Sequence, residues 1–260
     1  MNDSNCASRR RRHVLHLALG TGGAMSALST CWLPARAQSR TAIRRLGIFS
    51  LLGDSVRIVA RETREALFKD IGMDKLTFDA VGGAVLASQA QTELRHFRAP
   101  IEVDVSDQVS IGVAAGWRAE LPTWVANEAR DAALSHVLLV TSSVGAMEFK
   151  TGMSQVVGNN RVMGIGFMVS ATGRFKDSQT GHVANGYLAP FVQLRLTLID
   201  LAGPRVVHSA SLSEGFVVGP HTNEAPDPWL FLSRQEKAGA LDGLLRRVIA
   251  RGMQEVLAAV

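Results

Sequence analysis

Val192-Gln-Leu-Arg-Leu-Thr-Leu-Ile-Asp200, then Leu201-Ala-Gly-Pro204, then Val206-Val-His-Ser-Ala-Ser-Leu-Ser213 is the stretch that decides the fold. Val192, Leu194, Leu196 and Leu198 alternate with Gln193, Arg195 and Thr197, the period-2 pattern of a strand with two different faces. Asp, Gly and Pro together make a turn, because each favours a turn conformation. Val206 to Ser213 then reads as the return strand, so Tyr187 to Glu214 is a long antiparallel hairpin.

Downstream of the hairpin, residues 218–230 form a loop with three prolines. Ser233 and Glu236 have capping-box spacing. Leu241, Leu244, Leu245, Val248, Ile249, Met253, Val256 and Leu257 follow at helical intervals, so the chain closes on an amphipathic helix whose stripe faces a core. Upstream, residues 171–186 are polar and Gly-rich and read as a loop, and Val162 to Ser170 reads as a strand. His136 to Thr141 is a buried strand preceded by a helix that starts at Pro122 and runs from Trp124 to Ser135. Ile101-Glu-Val-Asp-Val105 alternates as a strand. Asp79 caps an expected helix running to about Phe97, with Val81, Val85, Leu86, Leu94 and Phe97 near one face and Pro100 ending it. Leu46 to Leu52 is an apolar strand stopped by Gly53-Asp54, and Val56 to Ala60 is expected to pair back on it. Helices preceding apolar strands are the grammar of a layered α/β (α+β) domain. The expectation is one domain over residues 45–260: a mixed sheet with a long carboxy-terminal antiparallel hairpin and helices packed largely on one side.

The first 37 residues have a different style. Arg9 to Arg12 form a positive cluster, Val14 to Leu33 carries no formal charge, and Ala35-Arg36-Ala37 places small residues where a signal peptidase reads. Arg11-Arg12-His-Val-Leu15 has the twin-arginine order, and glycines at 20, 22 and 23 keep the apolar stretch weak, which suits that route. The expectation is a cleaved export signal over residues 1–37 and a linker over 38–44. This places the mature chain in the periplasm or outside the cell.

Charge and cysteine counts split at the same point. The chain has 28 Lys+Arg and 23 Asp+Glu. Residues 1–37 hold five arginines and Asp3, which leaves 28 − 5 = 23 basic and 23 − 1 = 22 acidic groups in residues 38–260. A near-neutral remainder lacks the clustered basic face that nucleic acid requires. Cys6 and Cys31 both precede residue 38, so an internal disulfide, a cysteine nucleophile and a thiolate metal site are excluded beyond it. No run there approaches the ~18 apolar residues of a transmembrane helix.

The order of elements and the hairpin residues resemble a bacterial envelope fold. In the amino-terminal domain of TolB and in the curli-secretion lipoprotein CsgG and their relatives, an "x-L-x-L-hydrophobic-Asp" strand turns at a glycine. It returns through a "Val-x-x-Ser-Ala" strand, as Val192 to Asp200, Gly203 and Val206 to Ala210 do here. The start at Leu46 to Asp54 is similar to that of several exported proteobacterial proteins. The resemblance implies a fold and a compartment. It carries over no functional residue, since the matched positions are structural, and the long membrane-spanning insertions of the CsgG type are absent.

Gly53-Asp54-Ser55 after an apolar strand resembles the first block of SGNH hydrolases, where the Ser is the nucleophile. Asn160 of Gly158-Asn159-Asn160 would stand for the oxyanion-hole donor. The Asp-x-x-His that supplies their base occurs nowhere in the sequence, so the esterase is the alternative reading rather than the leading one. No zincin, dinucleotide or phosphate-loop motif is present, and no cofactor or metal is expected. Asp74, Asp79, Glu102 and Asp104 are scattered acids. Trp117, Trp124, Trp229 and Phe231 are candidates for an apolar groove or for plain packing. The two loops flanking the hairpin hold His182, His221, Asp227 and Trp229, residue types that contact ligands when a rigid scaffold presents them. The functional expectation is a non-catalytic exported protein that binds an envelope protein or a small ligand there, with no nucleic acid partner.

Overall fold

Alternation makes the strand of Val192 the axis of the sheet. A computed structural model describes residues 43–59, 63–65, 67, 72–88, 91–99, 121–150, 156–176, 181, 183–219 and 227–260. Its elements run β1 (Arg45–Ser50), β2 (Val56–Val59), β3 (Thr63–Glu65), α1 (Met73–Ser88), β4 (Glu93–Arg98), α2 (Thr123–Asp131), β5 (His136–Ser142), β6 (Val144–Lys150), β7 (Val156–Lys176), β8 (Val183–Asp200), β9 (Arg205–Gly215), a 3-10 turn (Pro228–Phe231) and α3 (Arg234–Ala258). The protein is a mixed α/β structure with one large mixed sheet.

The sheet runs β3-β2-β7-β8-β5-β1-β4, with β6 added on β7 and β9 on β8. β8 pairs with β9 along one edge. Along the other it pairs first with β7 (Tyr187 to Gln193 opposite Ser170 to Gly164) and then with β5 (Leu194 to Asp200 opposite Ser142 to His136). At the handover, Ser143 donates its N–H to the Gln193 carbonyl (3.0 Å) and accepts from the Gly164 N–H (3.1 Å). From there β6 leaves β8 and pairs with the first half of β7 as an arm.

Each face of β8 has its own cover. Leu188, Val192, Leu194, Leu196 and Leu198 join the largest core, shared with α1 and α3. The residues between them point the other way. Tyr187, Ala189 and Phe191 pack under the β6–β7 arm with Met147 and Phe149. Ile199 packs with Phe49, Val137, Leu139 and the α2 residues Val125 and Ala129. Thus α1 and α3 share one face and α2 lies on the other. Each fully buried Leu contributes about 1.5–3 kcal/mol, so this one strand anchors three cores.

The carboxy-terminal helix matches its sequence reading. Ser233 caps it through the Glu236 N–H, and the Glu236 carboxylate accepts the Ser233 N–H in return. Leu241, Leu244, Leu245, Val248, Ile249, Met253 and Val256 are buried and Leu257 is half-buried.

Three local expectations are corrected. The expected helix from Asp79 to Phe97 is two elements, α1 and β4, and Asp79 sits inside α1 in an exposed pair with Lys75 (2.6 Å). β2 does not pair back on β1. Both edges of β1 are taken by parallel β4 and β5, so β2 pairs with β3 and with β7. The polar stretch 171–186 continues β7 to Lys176 and starts β8 at Val183, which shortens the connection to a few residues. The expected strand Ile101 to Val105 lies outside the described residues, as do Trp117, His182, His221 and the whole export segment with Arg11, Arg12, Ala35 and Ala37.

Candidate functional site

Two places gather chemistry-bearing side chains. The first is where the two hairpin-flanking segments meet. After β9 the chain runs back along β8, and Leu188 and Val218 exchange both backbone hydrogen bonds. Gly186 is in the left-handed region (φ 83°), and a Cβ there would clash with the Ser170 carbonyl and lie 2.8 Å from Pro228. The described ends of the two segments therefore touch. Asp227 caps the 3-10 turn by accepting the Trp229 N–H (2.9 Å). The Trp229 ring meets Phe167 edge-on (5.4 Å), and the Lys237 ammonium lies 3.9 Å over its face. A cation on an aromatic face gains more when desolvated, and Lys237 is buried. Asp227 and Trp229 thus hold this end of the molecule together. Leu230, the next residue of the turn, is 63% exposed. Tyr187 is buried nearby, which raises its phenol above the usual range, while a hydrogen bond with Ser170 acts in the opposite sense.

The second place was not legible in the sequence as a group. β4, β1 and β5 are parallel, with β1 in the middle, α1 on one face and α2 on the other. In open α/β sheets the crevice beyond the carboxyl ends of such strands is where ligands bind. Here it holds Ser50, Asp54, Asp74 and Arg98. Gly53 turns the chain (φ 67°), and Asp54 accepts the Met73 N–H (2.8 Å), capping α1 from outside the helix. Asp74 lies in the first turn of α1 and is buried. Burial holds its carboxyl above the usual range. The nearby Ser50 hydroxyl lowers it, Asp54 raises it, and Arg98 lowers it, while Ser50 Oγ and Asp74 Oδ1 are buried without a hydrogen-bond partner among the described residues. Arg98 reaches Asp74 only at 3.9 Å. A buried carboxyl beside a hydroxyl can hold or give a proton. Among the described residues, no group of three or more His, Cys, Asp or Glu could hold a metal ion.

The remaining candidates are dispersed. Ser55 is half-buried between β1 and β2 and has an interaction partner. Asn160 lies on β7 opposite Met147. β2 runs parallel to β7 with Arg57 opposite Gly166, which sets Ser55 near the level of Gly164, four residues or roughly 13 Å along the strand from Asn160. His96 stacks on Phe78 (4.7 Å), and burial lowers its pKa. His136 is buried against the Ser135 hydroxyl (3.0 Å); burial lowers its pKa and Asp200 opposes this. His208 lies half-buried on β9. Trp124 packs on Phe49 beneath α2, and Trp229 and Phe231 belong to the opposite face, so these aromatics form no common groove.

No protein-family model matches the chain, and no curated protein matches it. Among solved structures, it is similar to a Xanthomonas campestris protein of family DUF330, at 9% identity and a TM-score of 0.34 over 87% of this chain and 90% of that one. It is also similar to PelC from Paraburkholderia phytofirmans, solved as a dodecamer, at 13% identity and a TM-score of 0.32 over 81% of this chain and 90% of that one. Neither is a TolB or CsgG protein, and the resemblance read from the hairpin finds no match among them. At these scores the overlap says nothing of activity. Among the described residues, no helix is long and apolar enough to cross a membrane.

Proposed function

We propose that the chain is exported to the cell envelope and works there by binding an envelope protein or a small ligand, not by catalysis. One observation carries the reading: four side chains of the kinds that do chemistry are spent on holding the scaffold. Asp54 caps α1, Asp227 caps the 3-10 turn, Trp229 is wedged between Phe167 and Lys237, and His96 is stacked on Phe78. A rigid end of the sheet, with two chain segments brought together at Gly186 and Pro228, is the kind of platform on which loops recognise a partner. His182 and His221 are the proposed contact residues.

The test is crosslinking in intact cells with a reagent confined to the envelope, followed by fractionation. The tagged chain should appear in the envelope fraction with a discrete adduct. Exchanging His182 and His221 for Ala should remove the adduct and leave the melting temperature within about 1 °C. A chain retained in the cytosolic fraction overturns the compartment. An adduct that survives both substitutions overturns the site.

A further inference from the structure

The crevice beyond the end of β1 gathers more negative charge than its neighbours answer. Asp54 accepts the Met73 N–H (2.8 Å) and so meets the positive end of α1 from outside the helix. Asp74 follows in the first turn, where that end is already met, and it is buried. The adjacent Lys75 ammonium is bonded to Asp79 instead (2.6 Å). Arg98, with 61% of its side chain exposed, reaches Asp74 Oδ2 only at 3.9 Å. A Cβ at Gly72 (φ 79°) would lie 3.3 Å from Arg98 Nη2 and 3.9 Å from Asp54 Oδ1, so the guanidinium shares the space around Gly72 with the Asp54 carboxylate. Two carboxylates thus face one solvent-screened guanidinium.

The inner side of the crevice carries a second, independent observation. Ser50 Oγ and Asp74 Oδ1 are buried without a hydrogen-bond partner among the described residues. Ser50 is 1% exposed and closes β1 on the face of Leu46 and Ile48, which α1 covers. It stands near enough to act on the Asp74 carboxyl. Leaving either oxygen without a partner is destabilising, and buried charges are paired or bound to a cation. The unmet groups are a hydroxyl and a carboxylate oxygen, hard donors that suit calcium or magnesium rather than a transition metal. Calcium accepts hydroxyl, carbonyl and water oxygens beside carboxylates and tolerates irregular geometry, whereas magnesium demands a near-ideal octahedron. Side chains that arrive from a strand end, a turn and a helix suit calcium.

We propose that Ser50, Asp54 and Asp74 form a calcium site at the carboxyl end of β1, tying the first turn of α1 to that strand. Asp74 Oδ1 and Ser50 Oγ are the inner ligands. Asp54 Oδ1 is held by the Met73 N–H, which leaves Oδ2 as the outer one. Arg98 acts against the ion by like charge, so affinity belongs with the weak sites of extracellular modules, about 10⁻⁴–10⁻³ M. The site is independent of the loops that carry His182 and His221.

The test is equilibrium dialysis with radioactive calcium, together with thermal melting. It uses the full chain, stripped with EDTA and dialysed, over about 0.01–10 mM CaCl2. The chain should bind a single calcium, and its melting temperature should rise with CaCl2. NaCl of equal ionic strength should give no rise and MgCl2 a smaller one. Asp74→Asn keeps the shape and removes the charge. It should melt at or above the wild type without calcium, yet bind calcium at least tenfold more weakly. Arg98→Gln, at an exposed position, removes a repelling charge and should bind calcium about threefold more tightly; it serves as the reading if the Asp74 variant does not fold. A purely structural role for Asp74 and Arg98 predicts neither change in affinity. A chain that binds no calcium overturns the proposal and assigns the two inner oxygens to buried water. Magnesium bound as tightly as calcium, calcium binding that survives Asp74→Asn, or binding that Arg98→Gln leaves unchanged or weakens overturns it as well.

Discussion

Asp54 and Asp74 show how one residue type serves opposite ends at the same spot. In the sequence, Gly53-Asp54-Ser55 is open both to a turn and to a hydrolase block. The structure gives Asp54 a task that neither reading names: it caps a helix that begins nineteen residues later. Nothing local encodes that, because the donor at Met73 is brought in by tertiary structure. Asp74 reads as one scattered acid among four, and its environment is equally non-local, built by Ser50, Asp54 and Arg98. Its carboxyl is held above the ordinary value of 3.8, so the folded protein binds that proton more tightly than the unfolded chain. The group's stabilising contribution is complete below that ordinary value and is lost as pH rises through the raised one. At neutral pH the buried carboxylate is a cost. Asp74→Asn keeps the shape and removes the charge, so it should stabilise the protein by on the order of 1 kcal/mol at pH 7. It should be nearly neutral at pH 3.5, where the wild-type carboxyl is protonated. Urea denaturation at the two pH values checks this. An equal difference at both would show that charge is not the cause.

Among elements, legibility followed how far a pattern is self-contained. α3 is written entirely in its own residues, with cap, stripe and length all local, and it stands where the sequence puts it. β4 is the counterexample. Leu94 and Phe97, three apart, would share a face in a helix, and that spacing extends the expected helix to Phe97. In a strand, residues three apart point to opposite faces. Leu94 packs in the core under α1 and α3, whereas Phe97 stacks on Phe49 (4.5 Å) in the core under α2. What decides between the two is pairing with β1, which no window of β4 contains. The element-scale prediction rests on the well-determined helix. Leu245 is 2% exposed and Val248 is fully buried. Leu245→Ala should cost about 2–5 kcal/mol. Removing residues 238–260 should uncover the main core and leave a protease-sensitive chain. A truncated protein with the melting profile of the intact one would show that α3 is dispensable.

For the whole molecule, the hairpin announces a mixed sheet, but strand neighbours and helix sides are matters of topology. The sequence puts the helices largely on one side. Two of the three described helices, α1 and α3, share a face, and α2 takes the other because the crossovers from β1 to β4 and from β4 to β5 move in opposite directions across the sheet. The handover of β8 from β5 to β7 had no visible signal either, since Gln193 and Ser143 are ordinary polar residues in the sequence. The candidate binding loops were legible as composition. The structure changes how they must be tested: Asp227 and Trp229 now belong to the fold, so their substitution would report on stability as much as on recognition.

The proposed export is argued from the chain as a whole, and it rests on an asymmetry in charge. Residues 38–260 are close to neutral, 23 basic against 22 acidic, so the chain's excess positive charge is concentrated before residue 37. A guanidinium differs from an ammonium in offering a planar fork of donors, so a receptor that reads paired arginines is not satisfied by paired lysines of the same charge. A general secretory signal needs only positive charge before an apolar stretch. Replacing Arg11 and Arg12 together with Lys separates the two. The net charge is unchanged, the apolar stretch is untouched, and the folded part keeps every residue. Immunoblots of fractionated cells should show precursor accumulating in the cytosol and mature chain lost from the periplasm, by about tenfold if paired arginines are read as a unit. Normal processing and unchanged periplasmic yield in the Lys variant would place the chain on the general route.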